Sequence, residues 1–271
     1  MRVIHTFFNL FFLAGAILLL ILTVLSGSIN SGTFRTFYWL RADTADIPNA
    51  PADTSVWTFW GVCDQHNFNN CLLGPAYPIS PVDNFNTDTN IPAKFIDNRD
   101  TFYFLSRFSF AFCLLALGFA GLAFIIDLLG FCFEAIDKVV VFLITIALFF
   151  QAGFAALQTS VVVLARSAFK DGNRSAKVGP SLMGFVWATF ACLFICWVLT
   201  FSSNIARSYR KHMDRVKAER GEEVGGAGVA GDESSFTRAA APAEHKDEEH
   251  TGGIRFFKIK RNQKVSDEDS E

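Results

Sequence analysis

Four long apolar runs, separated by polar segments, dominate the pattern of the chain. They cover residues 7–25, 108–131, 139–164 and 182–202, and Asp127 in the second run is the one charged residue within them. A helix needs about 20 residues to cross a bilayer core of about 30 Å, and in lipid a helix satisfies its own backbone groups. The pattern therefore predicts an all-α membrane protein built as a bundle of four transmembrane helices.

The first run also fits a cleaved signal peptide. Arg2 and His5 precede it, and the small residues at 26–28 are typical of a cleavage site. At about 19 residues, however, the run exceeds the usual apolar core of a signal peptide, which has about 7–15 residues. We therefore favour a retained membrane anchor, and a mature N-terminus near Ser28 would contradict it.

The segments outside the runs differ in length and charge, which predicts an orientation. They are residues 1–6, a long first loop at 26–107, a short link at 132–138, a second loop at 165–181 and a tail at 203–271. Lys and Arg collect beside the cytoplasmic ends of membrane spans. Six of them follow the fourth run closely, whereas the first loop is net acidic. We expect both termini and the link to be cytoplasmic and both loops to be extracellular, although the second loop is itself basic.

Composition narrows the class of function. Hydrophobic residues make up 51% of the 271, charged residues only 18%, and the net charge is -2. A soluble domain has about 25% charged residues, so these values exclude an ordinary soluble enzyme and a basic nucleic-acid-binding protein. The sequence has no glycine-rich phosphate loop, zinc motif or nucleophile with a partnered base. We expect no catalytic residue, no metal and no cofactor.

Two cysteines, Cys63 and Cys71, lie eight positions apart in the polar first loop. In an oxidising extracellular space they would form a disulfide, which contributes about 2–3 kcal/mol for so short a loop in the chain-entropy model. Two free thiols, or a metal pair with His66, are the alternatives. The aromatic residues and prolines around the pair predict short β-strands. The first loop is therefore predicted to be a small, β-containing extracellular domain.

Three polar residues within the runs are candidates for contacts between helices. Gln151 and Gln158 are seven positions apart and share one face of the third helix, which favours interhelical hydrogen bonds. Asp127 lies near the inner end of the second run. We expect it to pair with a basic group at the interface, with a proton or ion role as the alternative.

Basic residues at the start of the tail form a candidate lipid-binding segment. They are Arg207, Arg210, Lys211, Arg215, Lys217 and Arg220. Anionic lipid attracts such residues by about 1 kcal/mol each near the membrane surface. The alternative is that these residues only determine the orientation of the chain in the membrane.

The rest of the tail holds weaker signals. Residues 222–249 are predicted to be a flexible linker. A basic and aromatic cluster follows, which suits contact with a membrane or a partner, and it consists of Arg255, Phe256, Phe257 and Lys258. Elsewhere, Asn173 begins a glycosylation sequon, and Cys132 beside the second run is a candidate for palmitoylation.

Several motifs carry a family resemblance. Trp60 and Gly61, followed by Cys63 and Cys71, resemble the Trp-x-x-Cys…Cys loop of claudin-type tetraspan proteins, with a shorter spacing between the cysteines. The wider sequence resembles the fungal SUR/PalI family more closely. The matching segments are residues 37–39, 47–50, 57–61, 76–85, 107–110, 174–176 and 253–259.

The resemblance is to the eisosome-associated branch of that family and implies a function that composition does not. It implies a structural organiser of eisosome-type furrow domains in the fungal plasma membrane, supporting membrane organisation, endocytosis and cell-wall morphogenesis. Expected partners are anionic and sphingolipid-rich membrane lipids, BAR-domain coat proteins, other four-span family members and further copies of the chain; nucleic acid is not expected. The alternatives are a PalI-like pH or stress sensor and a claudin-like adhesion or barrier protein.

Overall fold

The computed structural model describes residues 2–28, 36–129 and 136–225, and these form helices and one sheet. In chain order the elements are α1 (Arg2–Val24), β1 (Leu40–Asp43), β2 (Thr54–Trp57), β3 (Gly61–Asp64), β4 (Cys71–Leu73), α2 (Pro81–Phe85), α3 (Ala93–Asp97), α4 (Arg99–Leu129), α5 (Ile136–Asp171), β5 (Ala176–Val178) and α6 (Pro180–Gly225). Helices α1, α4, α5 and α6 carry the apolar runs, and each is long and apolar enough to cross a membrane. The predicted four-helix bundle with a β-containing loop domain is confirmed.

All four long helices extend beyond the predicted spans, and α1 begins at Arg2, before residue 7. Helix α4 begins at Arg99, before residue 108, and α5 continues to Asp171, past residue 164. Helix α6 continues past residue 202 to Gly225, because residues 203–220 include no Gly or Pro and are rich in good helix formers. The first part of the predicted tail, residues 203–225, is therefore helical, while residues 226–271 lie outside the described chain and the largely disordered tail stays a prediction there.

The five strands form one antiparallel sheet in the order β4-β3-β2-β1-β5. Leu40 of β1 lies opposite both Trp57 of β2 and Val178 of β5. Strand β5 belongs to the second loop, so the two loops predicted as separate segments share a single sheet. We call the end of the bundle that carries residues 36–98 and 172–179 the sheet end. The opposite end, where α1 and α5 begin, we call the polar end.

Aromatic side chains join the sheet to the helices. The Trp39 ring lies 4.8 Å from Phe59 and 6.2 Å from Phe154 of α5, measured between centroids. Trp57, fully buried, lies 5.7 Å from Phe169 near the end of α5. Buried aromatic pairs of this kind contribute beyond the area that they bury. The predicted short β-strands are observed, and the ends of the helices form part of their aromatic core.

Between the helices, small residues and two glutamines make the contacts. Gly153 of α5 faces the Phe112 ring of α4, and a Cβ atom at Gly153 would lie 2.5 Å from that ring. Gln158 accepts a hydrogen bond of 2.6 Å from the Ser109 hydroxyl of α4. Gln151 donates one of 2.9 Å to the Val186 carbonyl of α6. The predicted interhelical hydrogen bonds are therefore confirmed for both glutamines.

Candidate functional site

The disulfide candidate lies in the β3–β4 hairpin. Cys63 and Cys71 are directly opposite each other in the antiparallel register and are joined by a disulfide with an S–S distance of 1.98 Å. Both sulfurs are used by this bond, so the alternatives of free thiols and of a metal pair with His66 do not apply. In the described part of the chain, no group of three His, Cys, Asp or Glu side chains is arranged to hold a metal.

The Trp60-Gly61 motif attaches this hairpin to the bundle. The Trp60 indole donates a hydrogen bond of 2.6 Å to the carbonyl of Val24, the last residue of α1, and its ring packs on Phe110 of α4. Terminal helix carbonyls lack partners within their own helix, so Trp60 caps α1. A Cβ atom at Gly61 would lie 2.3 Å from the Leu72 carbonyl oxygen. The motif is thus explained by the packing of the hairpin against the helices.

A second set of contacts attaches the segment at 76–85 to the sheet. The Arg99 guanidinium binds the Asp83 carboxylate with its Nε at 2.9 Å and its Nη2 at 2.5 Å. The Ser80 hydroxyl donates to the other oxygen of Asp83, at 2.6 Å. The Trp57 indole donates to Asn84 Oδ1 at 2.7 Å. The Trp57–Asn84 bond holds the segment against the sheet, and the Arg99–Asp83 pair holds it against the start of α4.

Arg174 joins the second loop to the first. It donates hydrogen bonds to the Ala45 and Asn90 carbonyls and lies 3.9 Å from the Asp43 carboxylate. The neighbouring Asn173 is exposed and adopts a left-handed backbone conformation with φ of 57°. Its side chain is accessible, and its glycosylation stays a prediction.

The sheet end holds one perturbed titratable group outside the membrane-spanning helices. Burial raises the pKa of the Tyr77 phenol above its ordinary value. Tyr77 packs against the aromatic core, and its backbone N–H donates to the Phe59 carbonyl. A neutral, half-buried phenol in this position is part of the core rather than a general acid.

At the polar end, helix α6 carries an exposed basic face. Arg210, Lys211, Arg215 and Lys217 are exposed, and at 100° per residue they lie within an arc of roughly 160°. Ile205, Tyr209, Met213 and Val216 lie on the opposite side of the same helix. Beside them an apolar groove of about 460 Å³ opens between α5 and α6. The extension of α6 is therefore amphipathic.

Arg207 does not belong to this exposed face. It is half-buried and forms an ion pair with Asp137 at the start of α5. The prediction grouped it with the lipid-binding residues from its position in sequence, and only the helix packing separates it from them. The side chain of Arg220, together with Cys132, Arg255, Phe256, Phe257 and Lys258, lies outside the described residues.

Asp127 is bound by an amide, not by the basic partner that we expected. The Asn9 Nδ2 group of α1 donates a hydrogen bond of 2.7 Å to its Oδ2 atom. Both side chains are buried, and both line a cavity of about 30 Å³ to which α1, α4, α5 and α6 all contribute. Asn9 lies near the start of the first apolar run, and only its polarity there could have singled it out in the sequence.

Comparison with known proteins identifies the family. Residues 5–199 match the model of the SUR7/PalI family. Over all 271 residues, and over the whole of the relative, the chain is 66% identical to Protein SUR7 of Candida albicans. It is 45% identical to Protein SUR7 of Saccharomyces cerevisiae over 203 residues, covering 73% of this chain and 67% of the relative. It is 34% identical to the uncharacterized plasma membrane protein YNL194C of Saccharomyces cerevisiae, covering 75% of this chain and 70% of the relative. The bundle, the disulfide-linked hairpin and these matches together place the chain in the SUR7/PalI family of four-span membrane proteins.

Proposed function

We propose that the protein is a structural organiser of eisosome-type furrow domains in the fungal plasma membrane, where it supports membrane organisation, endocytosis and cell-wall morphogenesis. The observation that carries this proposal is the match to the SUR7/PalI family together with 66% identity to Protein SUR7 of Candida albicans along the whole chain. The relative described as a plasma membrane protein supports the location. The eisosome assignment rests on the resemblance of the sequence motifs to the eisosome-associated branch of the family.

Both termini are proposed to be cytoplasmic and the sheet end extracellular. The exposed basic residues of α6 lie at the polar end, where such residues favour the cytoplasmic side. The disulfide lies at the sheet end, and disulfides persist in oxidising compartments. These two features support the same orientation independently, one through charge and the other through redox chemistry.

Anionic lipids are the proposed ligands of the α6 extension. Arg210, Lys211, Arg215 and Lys217 project from it without being buried, and each would contribute about 1 kcal/mol near an anionic surface. The apolar groove between α5 and α6 lies on the opposite, apolar side of the same helix and suits acyl chains. Arg207 makes a smaller contribution because Asp137 already neutralises it.

Protein partners are proposed at the same side of the membrane. By resemblance they are BAR-domain coat proteins and other four-span family members, and the chain can also associate with further copies of itself. The cluster Arg255, Phe256, Phe257 and Lys258 is the proposed contact. The flexible linker predicted at 222–249 precedes this cluster and would allow it to reach a coat beneath the membrane.

Imaging of the full-length, fluorescently tagged protein in a fungal cell tests the proposed function. We expect stable cortical patches that coincide with furrows. A diffuse or vacuolar signal would count against the organiser role, and growth defects confined to alkaline medium would favour the sensor instead.

Neutralising the α6 face tests its lipid contacts. The triple variant Arg210→Gln, Arg215→Gln, Lys217→Gln should bind phosphatidylserine about 100-fold more weakly, since three contacts are worth roughly 3 kcal/mol. Binding is measured by titrating purified full-length protein in neutral detergent. The matched control neutralises Arg166, Lys170 and Lys177, three exposed basic residues towards the other end of the bundle. Equal loss in both variants would contradict a specific lipid face.

A claudin-like adhesion role is the second candidate, and one feature favours it. Strand β4 is an edge of the sheet, and its Leu73 side chain is 70% exposed. Exposed edge strands can pair with another chain. If this edge binds a neighbouring cell, Leu73→Lys should abolish the aggregation of cells that overexpress the protein; no aggregation in the unmodified strain would exclude the role.

A further inference from the structure

A buried pair of polar residues joins α1 to α4 at the polar end. Asn9 of α1 is 3% exposed and Asp127 of α4 is 6% exposed, and both lie within the predicted membrane spans. Ionisable side chains inside a membrane are rare because an isolated charge there is expensive. The protonation state of Asp127 therefore has a large effect on the stability of the contact between α1 and α4.

One atom of the pair lacks a hydrogen-bond partner. The Asn9 Nδ2 group donates to Asp127 Oδ2 at 2.7 Å, but the Asn9 Oδ1 atom is buried and has no partner among the residues that the structure describes. A buried, unsatisfied acceptor costs about 1–3 kcal/mol. An ionised carboxylate cannot remove this cost, because it has oxygen acceptors and no hydrogen to donate.

A single proton would satisfy both groups at once. We infer that Asp127 is a carboxylic acid in the folded protein and forms an acid–amide pair with Asn9. In such a pair the amide Nδ2–H donates to one carboxyl oxygen, and the O–H of the other donates back to the amide Oδ1. The geometry that carries this inference is the short Asn9–Asp127 contact beside an unsatisfied oxygen on the same amide.

The surrounding charges agree with a neutral Asp127. Asp137 of α5 and Arg207 of α6 line the same cavity and form an ion pair with each other. Thr6 of α1, which is uncharged, also lines the cavity, and outside the lining the Cys196 thiol of α6 donates to the Asn9 backbone carbonyl at 3.5 Å. With a proton on Asp127 the formal charges of these lining side chains sum to zero, whereas an ionised Asp127 leaves one negative charge uncompensated.

This inference goes beyond the proposed organiser function, because it makes the contact between the first and second membrane spans depend on one bound proton. Loss of that proton would leave the Asn9 oxygen unsatisfied and place a net charge between four helices.

Infrared spectroscopy of the full-length protein in lipid nanodiscs tests the inference directly. At neutral pH we expect a carbonyl stretching band typical of a protonated carboxylic acid, well above the carboxylate bands, with a downshift in D₂O. The band should be lost in Asp127→Asn and retained in Asp137→Asn, which is the matched control on α5. It should move to higher frequency in Asn9→Leu, where the two hydrogen bonds are lost.

The folding of the variants shows whether a lost band reports the missing carboxyl group or a misfolded protein. Asp127→Asn should fold, because an amide–amide pair makes the same two hydrogen bonds, and circular dichroism establishes this. Absence of the band in the folded wild-type protein would overturn the inference and would indicate an ionised Asp127 balanced by a cation in the cavity. Persistence of the band in folded Asp127→Asn would overturn it as well, since another carboxyl group would then hold the proton.

Discussion

The sheet end and the polar end hold the same four helices together by different means. At the sheet end, buried aromatic rings, a disulfide and a five-stranded ladder join both loops to α4 and α5. At the polar end, one amide–carboxyl contact and one ion pair lie around a small cavity. The stabilisation from apolar burial scales with buried area and does not depend on charge state. A buried polar contact, in contrast, stabilises the protein only when all its donors and acceptors are hydrogen-bonded. We therefore expect the sheet end to be rigid and the polar end to respond to its ionic environment.

The largest expected effect is the loss of a ring from the sheet end. Trp57 is fully buried between Phe85 and Phe169, so Trp57→Ala should lower the free energy of unfolding by about 3–5 kcal/mol. Thermal unfolding in detergent micelles measures this. Trp187→Ala is the control, because Trp187 is half exposed on the outside of the bundle. Similar losses of unfolding free energy in both variants would show that the sheet end contributes no more to stability than the outer surface of the bundle.

Removal of the disulfide comes next. Cys71→Ser should destabilise the protein by about 2–3 kcal/mol, because an open hairpin gains conformational entropy when unfolded. The same measurement with and without reductant checks it, since reductant should destabilise the wild type and not Cys71→Ser. Cys113→Ser, which alters a thiol in α4 and leaves the disulfide intact, is the control for reductant sensitivity.

A smaller effect is expected between the two strands of the β3–β4 hairpin. A Cβ atom at Gly61 would press on the Leu72 carbonyl oxygen, so Gly61→Ala should cost about 1–3 kcal/mol through strain. Gly118→Ala adds the same methyl group where no atom lies within 4 Å, and it should be neutral or slightly stabilising in its helix. Two equal melting temperatures would mean that the β3–β4 hairpin shifts without strain.

The smallest effect is expected at the polar end. Arg207 and Asp137 are both partly exposed, so Arg207→Gln should cost only about 1 kcal/mol. Arg210→Gln, on the exposed face of the same helix, should stay within about 0.5 kcal/mol. If Arg207→Gln proved as damaging as Trp57→Ala, the contrast between a rigid sheet end and a responsive polar end would be wrong.

Much of the sheet end could be predicted from local signals. The cysteine pair, the aromatic residues and the prolines of the first loop indicated short strands and a disulfide. Strand β5 could not be predicted, because three residues carry no periodic signal and pair with β1 more than 130 positions away. For the same reason the contacts of Arg174 with Ala45 and Asn90 were missed.

Within the helix bundle the sequence indicated the polar residues, but it did not indicate the partner of every one of them. Gln151 and Gln158 share a helix face by spacing alone, and their hydrogen bonds to neighbouring helices followed from that. From their positions near the ends of the spans, Asp127 was expected to pair with a basic group and Arg207 to contact lipid. In the fold, Asp127 contacts Asn9 and Arg207 contacts Asp137. A residue on one helix can be placed on a face from sequence, whereas the residue facing it depends on how the helices rotate and pack.

The sequence by itself determined the four membrane helices, the disulfide pair and the family, because each is set by local pattern: run length, cysteine spacing and short motifs. The tertiary structure alone decided that two distant loops share one sheet, that Trp60 caps α1, and that Arg207 faces Asp137 rather than lipid. It also brought Asn9 against Asp127, 118 positions apart in the chain. Such pairings arise only when apolar faces pack and bring together whichever polar groups those faces carry.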